Sequence, residues 1–411
     1  MQPMSLDTPA APAPPASPRS RRTLAACCGA HVLHDGFSDM LYVLFPVWQA
    51  AFALSFAQVG LLKTLYSGSM AALQVPASLL AERVGERMLL ALGTLIAATA
   101  FIVAGWTAGF AGLALCLMVG GAAASVQHPL GAALTSRAFE GAQQRAALGT
   151  YNFSGDIGKM LLPALCAALL AVLDWHAVTV LMGALGLVAA LAIWFAVPRA
   201  LGQAASAAQQ QAVDAGAPGA AAGTLANPGF MSLSAIGFID SATRMGFLTL
   251  LPFVLIAKGA SVTQVGFALS LTFTGGAAGK FLCGLIAARA GVLRTTILTE
   301  LATAAGIVAL LPLSLQASML LLPVIGIALN GTSSVLYGTV AELVPGERRA
   351  RAFGIFYTLT IGAGAVSPVL YGLLGDAIGV PRTYAVIAAV VLLVLPLTLG
   401  LRPALRALRA D

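Results

Sequence analysis

Apolar runs of about 20 residues recur along this chain, and they dictate what it can fold into. A helix needs about 20 such residues to cross a hydrocarbon core of roughly 30 Å, and in lipid a helix satisfies its own backbone polar groups. The runs lie near 24–50, 56–81, 88–107, 111–137, 146–172 and 175–197. They resume near 229–257, 262–288, 293–313, 317–342, 351–374 and 381–402. Only 9% of the 411 residues are charged, against about 25% in a soluble domain. So little charge leaves too few polar side chains to cover a water-facing surface. The fold class is therefore an all-α membrane protein of twelve transmembrane helices in two six-helix bundles.

The break between the sixth and seventh runs, "GQAASAAQQQAVDAGAPGAAAGTLANPG", is low in complexity and reads as a flexible linker. The expected organisation is a disordered tail at 1–23, a bundle at 24–198, a linker at 199–228, a bundle at 229–403 and a tail at 404–411. The opening "MQPMSLDTPAAPAPPASPRSRR" is rich in Pro and Ala and has no short apolar core with a small-residue cleavage site after its basic patch. It reads as a tail rather than a signal peptide. The five cysteines lie in apolar runs without paired spacing, so they read as packing residues rather than disulfides or metal ligands.

The net charge of +7 has a topological meaning. With both termini on one side, sixteen of the 22 Lys and Arg fall on that side or at its interface, and only Lys258 and Arg382 fall on the other. The positive-inside rule makes the terminus-bearing side cytoplasmic, as in a bacterial-type inner membrane. Nucleic acid is not an expected partner.

The halves resemble each other. "SFAQVG" from Ser55 and "SVTQVG" from Ser261 are 206 residues apart, and at the same offset "LLAERVGER" aligns with "LIAARAGVL". Arg83 thus pairs with Arg289, Gly85 with Gly291 and Pro46 with Pro252. At 205, Gly149 pairs with Gly354 and Pro163 with Pro368. Internal repeats of this kind belong to transporters, with the substrate between the repeats near the midplane.

The stretch "SLLAERVGER", Ser78 to Arg87, resembles the loop between spans two and three of the major facilitator superfamily, Gly-x-Leu-Ala-Asp-Arg-x-Gly-Arg-Arg/Lys. Ser78 replaces the first Gly, Glu82 stands for the Asp, and Glu86 occupies a basic position. The resemblance implies that Glu82, Arg83, Gly85 and Arg87 form a conformational latch. The plainer reading is a turn with Gly85 as hinge and basic anchors. Four further stretches, "HVLHDGFSDMLYVLFPVW", "FAQVGLLKTLYSGSMAALQVPASLLAER", "ASVQHPLGAALTSRAF" and "ALGTYNFSGDIGKMLLP", resemble the fosmidomycin-resistance branch of that superfamily. The matching residues are His34 and Asp35, His128 and Pro129, and Gly155, Gly158 and Pro163. That resemblance implies a proton-driven exporter of small anionic or drug-like compounds.

Ionisable residues at membrane depth are costly and mark function by default. At 100° per residue, His31, His34, Asp35, Ser38 and Asp39 share an arc of roughly 140° on the first span. In the superfamily the first, fourth, seventh and tenth spans line the central cavity, so the resemblance implies that this stripe faces it. Asp240 lies 206 residues after His34, with Arg244 one turn further. An Asp–Arg pair at that spacing is placed for an intrahelical ion pair. His128 and the Asp156–Lys159 pair are also central. Each has a structural alternative: self-neutralising pairs, interface or packing residues, or a helix–helix hydrogen bond. Lys63, Lys280 and Glu300 lie off-centre, where snorkelling or interhelix pairing serves as well.

The expected mechanism gives proton coupling to Asp35, with His34 or Asp240 as partner. It gives substrate contact to His31, Asp39, His128, Asp156, Lys159 and Arg244. No cofactor is expected beyond a proton gradient, no partner beyond lipid and a small anionic molecule, and a monomer is the default. The rivals are an uptake symporter of an organic anion and a non-transporting sensor or scaffold. An enzyme is disfavoured: the chain carries no nucleophile motif, phosphate-binding Gly loop or metal-ligand spacing.

Overall fold

Ser17 starts the first helix. Its side chain accepts a hydrogen bond from the Ser20 backbone N–H at 3.0 Å, and Pro18 takes the first helical position, where its missing N–H costs nothing. The computed structural model describes residues 17–197, 227–344 and 349–407. In the first half these form α1 (Pro18–Phe52), α2 (Phe56–Val84), α3 (Glu86–Ala104), α4 (Phe110–Ala124), α5 (Gln127–Ala138), α6 (Gly141–Leu170) and α7 (Trp175–Ala196). In the second half they form α8 (Pro228–Ala257), α9 (Val262–Ala290), α10 (Val292–Leu310), α11 (Leu315–Leu343), α12 (Arg349–Ile378), α13 (Val380–Leu392) and α14 (Val394–Ala407). No strand occurs among the described residues.

Fourteen helices make twelve crossings, because α4–α5 and α13–α14 are each one interrupted span. Pro129 explains the first interruption: it lacks an N–H and its ring crowds the carbonyl four residues back, at Ser125, where the helix opens. Pro396 acts likewise on Leu392, the last residue of α13. Ten spans are long and apolar enough to cross a membrane by length and composition. The other two, α1 and α2, carry more polar side chains, among them the stripe on α1 and Lys63 on α2.

The repeat recurs in local detail. Ser55 and Ser261 each open a capping box with Gln58 and Gln264, at the same φ of −72° and ψ of 162°. The turns after α2 and α9 fall on Gly85 and Gly291, at φ 86° and 87°, a region that side chains disfavour. Helix pairing repeats as well: α1 lies on α6 as α8 lies on α12, and α2 on α4 as α9 on α11.

The halves are joined along two seams, α2 with α12 and α6 with α9. Asp376 at the end of α12 accepts from the backbone N–H groups of Phe56 and Ala57, at 2.7 and 2.9 Å, and so caps α2 from the opposite half. Phe56 meets Phe253 edge-on at 5.2 Å, and Ser270 donates to the Met160 carbonyl at 2.6 Å. These contacts lie in the half of the spans farther from the termini. There the halves are closed against each other.

Two expected boundaries move. The expected tail at 1–23 is helical from Pro18, held by the Ser17 cap and by Arg22, which donates to the Phe195 carbonyl at 2.7 Å. The expected tail at 404–411 is helical through Ala407. Of the 199–228 linker, only Asn227 and Pro228 lie within the described residues, where Asn227 caps α8.

Candidate functional site

Two glycines on α6 let a polar cluster form around α1. A Cβ at Gly158 would collide with the Val32 carbonyl, and one at Gly155 would sit 2.6 Å from both Asp35 Oδ2 and His31 Nε2. With only hydrogen at these positions, α6 lies against α1 at the depth of Asp35.

Asp35 is the hub. Its Oδ2 lies 3.2 Å from Lys159 Nζ and 3.4 Å from His31 Nε2, and its Oδ1 lies 3.5 Å from His128 Nε2. Three spans thus converge on one carboxylate. His31 is oriented from behind: its Nδ1 donates to the Tyr151 carbonyl at 2.8 Å, and its ring stacks on Tyr151 at 4.4 Å. With Nδ1 carrying hydrogen, Nε2 faces Asp35 as a lone pair, and a second proton there would join the two. His31 and His128 meet edge-on at 5.2 Å.

A second carboxylate continues the network. Lys159 Nζ lies 4.0 Å from Asp156 Oδ1, and the same oxygen is 2.6 Å from Lys280 Nζ. Lys280 belongs to α9, so this ion pair crosses between the halves. The side chains of Lys280, His128 and Lys159 keep 41%, 39% and 32% of their surface accessible, whereas Asp35 keeps 11%. These three side chains thus keep accessible surface deep in the spans, with the two carboxylates behind them.

The other stripe residues take different roles. His34 differs from the expectation that it shares the cavity face: Nε2 donates to Thr94 Oγ1 on α3 at 2.9 Å, while Thr94 donates onward to the Leu90 carbonyl at 2.8 Å. It lies toward one edge of the arc, where the wall of α3 is nearer than the cavity. Asp39 faces Lys63 at 3.9 Å, and Lys63 also donates to the Ser38 carbonyl at 2.8 Å and lies over the Tyr42 ring at 4.5 Å. Asp240 and Arg244 form no ion pair within 4.0 Å; the guanidinium instead reaches Ser333 Oγ on α11 at 3.4 Å. The long Arg244 side chain bridges helices rather than closing on its own turn. Asp156 and Lys159, expected to contact substrate with a self-neutralising pair as the alternative, each have a shorter partner elsewhere.

One donor of His31, one of His128 and one of Asp35 all lie within 4.8 Å of one another, the set a transition metal takes. The ammonium of Lys159 already sits 3.2 Å from the shared carboxylate and opposes a second cation there.

The family model of the Major Facilitator Superfamily matches residues 27–236 and 233–410. The chain belongs to the Major Facilitator Superfamily. It is thus a membrane transporter and not an enzyme. It is 22% identical to the fosmidomycin resistance protein of Escherichia coli (strain K12) over 385 residues, 90% of each chain. It is 24% identical to the uncharacterized MFS-type transporter YfnC of Bacillus subtilis (strain 168), over 87% of each. A crystal structure of a bacterial homolog to the human lysosomal transporter Spinster, inward-facing and occupied, superposes with a TM-score of 0.78 at 17% identity, covering 95% of this chain and 98% of that one.

In this transporter the last turn of α2 is exposed. Glu82 and Arg83 are exposed, and neither has an ion pair among the described residues. Arg87 lies over the Trp194 ring at 4.5 Å. Glu86, the departure from the superfamily pattern, pairs with Arg137 at the end of α5. Sequence reasoning set Lys280 aside as off-centre and did not single out Tyr151 or Thr94. The available signal for Lys280 was its lone charge in the run "TFTGGAAGKFLCGLIA".

Proposed function

We propose that this transporter couples the movement of a small anionic compound to protons, with both events using the network of Asp35, Asp156, His31, His128, Lys159 and Lys280. The observation that carries the reading is the Asp35 hub, where one carboxylate meets an ammonium and two imidazoles beside an accessible cationic wall. An anion entering the cavity competes with Asp35 and Asp156 for Lys159 and Lys280. Protonation of the carboxylates releases those cations to the anion, and loss of the protons returns the cations to the carboxylates and expels it. Proton and anion therefore each strengthen the other's binding, the requirement for coupling. His31 and His128 take the partner role that sequence reasoning gave to His34 or Asp240.

The name of the Escherichia coli relative makes a phosphonate the first probe. A single chain brings both walls of the cavity, so a monomer suffices. The asymmetry of Lys and Arg supports an inner membrane with both termini cytoplasmic. The Glu82–Arg83 loop then acts as a latch that closes when the terminus-bearing end closes.

The test is transport by purified protein in proteoliposomes with an imposed pH gradient, using labelled fosmidomycin, carboxylates and lipophilic cations. Accumulation of an anionic probe driven by the gradient supports the reading. A preference for cations, or indifference to the gradient for every compound, contradicts it.

A further inference from the structure

The repeat points to a second ionisable site, in the half of the molecule that the Asp35 network barely uses. His34 on α1 and Thr94 on α3 are joined at 2.9 Å. Advancing both by 206 residues gives Asp240 on α8 and Glu300 on α10. Positions joined by a hydrogen bond in the first half thus carry two carboxyl groups in the second.

Both are deeply buried, Asp240 at 4% exposure and Glu300 at 1%. Among the described residues no Lys, Arg or His nitrogen comes within 4.0 Å of either carboxyl. Glu300 Oε1 has no hydrogen-bond partner. The hydroxyls of Thr243, three residues after Asp240, and Thr303, three after Glu300, are also buried without partners. Those spacings put each threonine on the face of its carboxyl. The charged groups acting on Glu300 are Asp240 and, more weakly, Arg244 on α8. Of the helices against α10, α11 offers Thr332 to Glu300, and α13 carries Tyr384, whose hydroxyl is committed to the Phe247 carbonyl at 2.9 Å.

A lone buried carboxylate is costly, and two neighbouring ones cannot both ionise. The neutral acid needs no cation and gives Oε1 a hydrogen to donate. We infer that Asp240 and Glu300 form a proton-binding site of the second half, with the proton resting on Glu300. Asp240, nearer Arg244, is the member that ionises. A sodium ion would compete for the same oxygens, and the salt arm of the test below separates the two cations.

The inference deepens the proposed proton coupling and rests on it for its role in transport. The occupancy of Glu300 is tested apart from transport, by infrared spectroscopy of the full-length protein in nanodiscs at neutral pH. The carbonyl band of a protonated carboxylic acid is expected in the wild type, reduced in Glu300→Gln and retained in Asp240→Asn. A band unchanged in Glu300→Gln overturns the site, as does its removal by sodium chloride at fixed pH, which would make this a sodium site. In proteoliposomes with labelled fosmidomycin, Glu300→Gln is expected to keep exchange without a gradient and to lose gradient-driven transport, while Glu300→Asp keeps both. Gradient-driven transport at the wild-type rate in Glu300→Gln overturns its coupling role. A wild type indifferent to the gradient sinks the proton-coupled reading instead, and the infrared band still decides the protonation of Glu300.

Discussion

Lys280 of the second half holds Asp156 of the first at 2.6 Å, an ion pair that joins the two halves. The pair forms only while the two halves lie as they do here, so it favours this conformation over the alternative. Lys280 keeps 41% of its side chain accessible, which limits the effect to about 1 kcal/mol, or roughly fivefold in the balance between states. Lys280→Gln is expected to shift that balance and to weaken binding of an anionic probe. Binding of labelled fosmidomycin and distances between spin labels on α6 and α9 check both, and an unchanged affinity would remove Lys280 from the site.

Asp376 makes a second tie at the far end, where it accepts from two N–H groups at the start of α2. A carboxylate at a helix N-terminus is favoured by the free N–H groups and the helix dipole. Asp376→Ala is expected to loosen the far-side seam and raise labelling of a cysteine placed near Phe56. Labelling at the wild-type rate would show that the apolar contacts close this end alone.

The rival partners of Asp35 separate cleanly by mutation. His34 braces α1 to Thr94, so His34→Ala is expected to lower thermal stability, by roughly 1–2 kcal/mol for a lost buried hydrogen bond, and to leave gradient-driven transport in place. His31→Ala, which removes a contact to Asp35, is expected to impair that transport. Thermal unfolding and proteoliposome transport of the two variants check the contrast, and a transport defect confined to His34→Ala would reverse the assignment.

Gly155 gives a steric test of the same cluster. A methyl group there lands 2.6 Å from Asp35 Oδ2 and His31 Nε2, so Gly155→Ala is expected to force the pair apart and reduce transport while the protein still folds. Normal transport with normal unfolding would mean that this close approach is not required.

The spans and the repeat were legible because lipid imposes length and polarity on each crossing, and because the same capping boxes reappear at Ser55 and Ser261. Pro129 interrupts α4–α5 within a run that reads as continuous from hydropathy alone. The stripe on α1 was legible as a stripe, but periodicity gives an arc and not its neighbours. His31, Asp35 and Asp39 repeat every four residues, and His34 falls to one side, against Thr94. Which of two long cations reaches a carboxylate was equally beyond spacing. Asp156 and Lys159 are one turn apart, yet Lys280, 124 residues away, makes the shorter contact. Arg244 likewise leaves Asp240 for Ser333 on another helix.

The central claim is that Asp35 is where proton and anion meet, and Asp35→Asn tests it most directly. The measurement is fosmidomycin transport by wild type and variant in proteoliposomes, with and without a pH gradient. The account predicts that Asp35→Asn loses gradient-driven transport by at least about tenfold, the effect of roughly 1.4 kcal/mol, while exchange without a gradient persists. Gradient-driven transport by Asp35→Asn at the wild-type rate would contradict it.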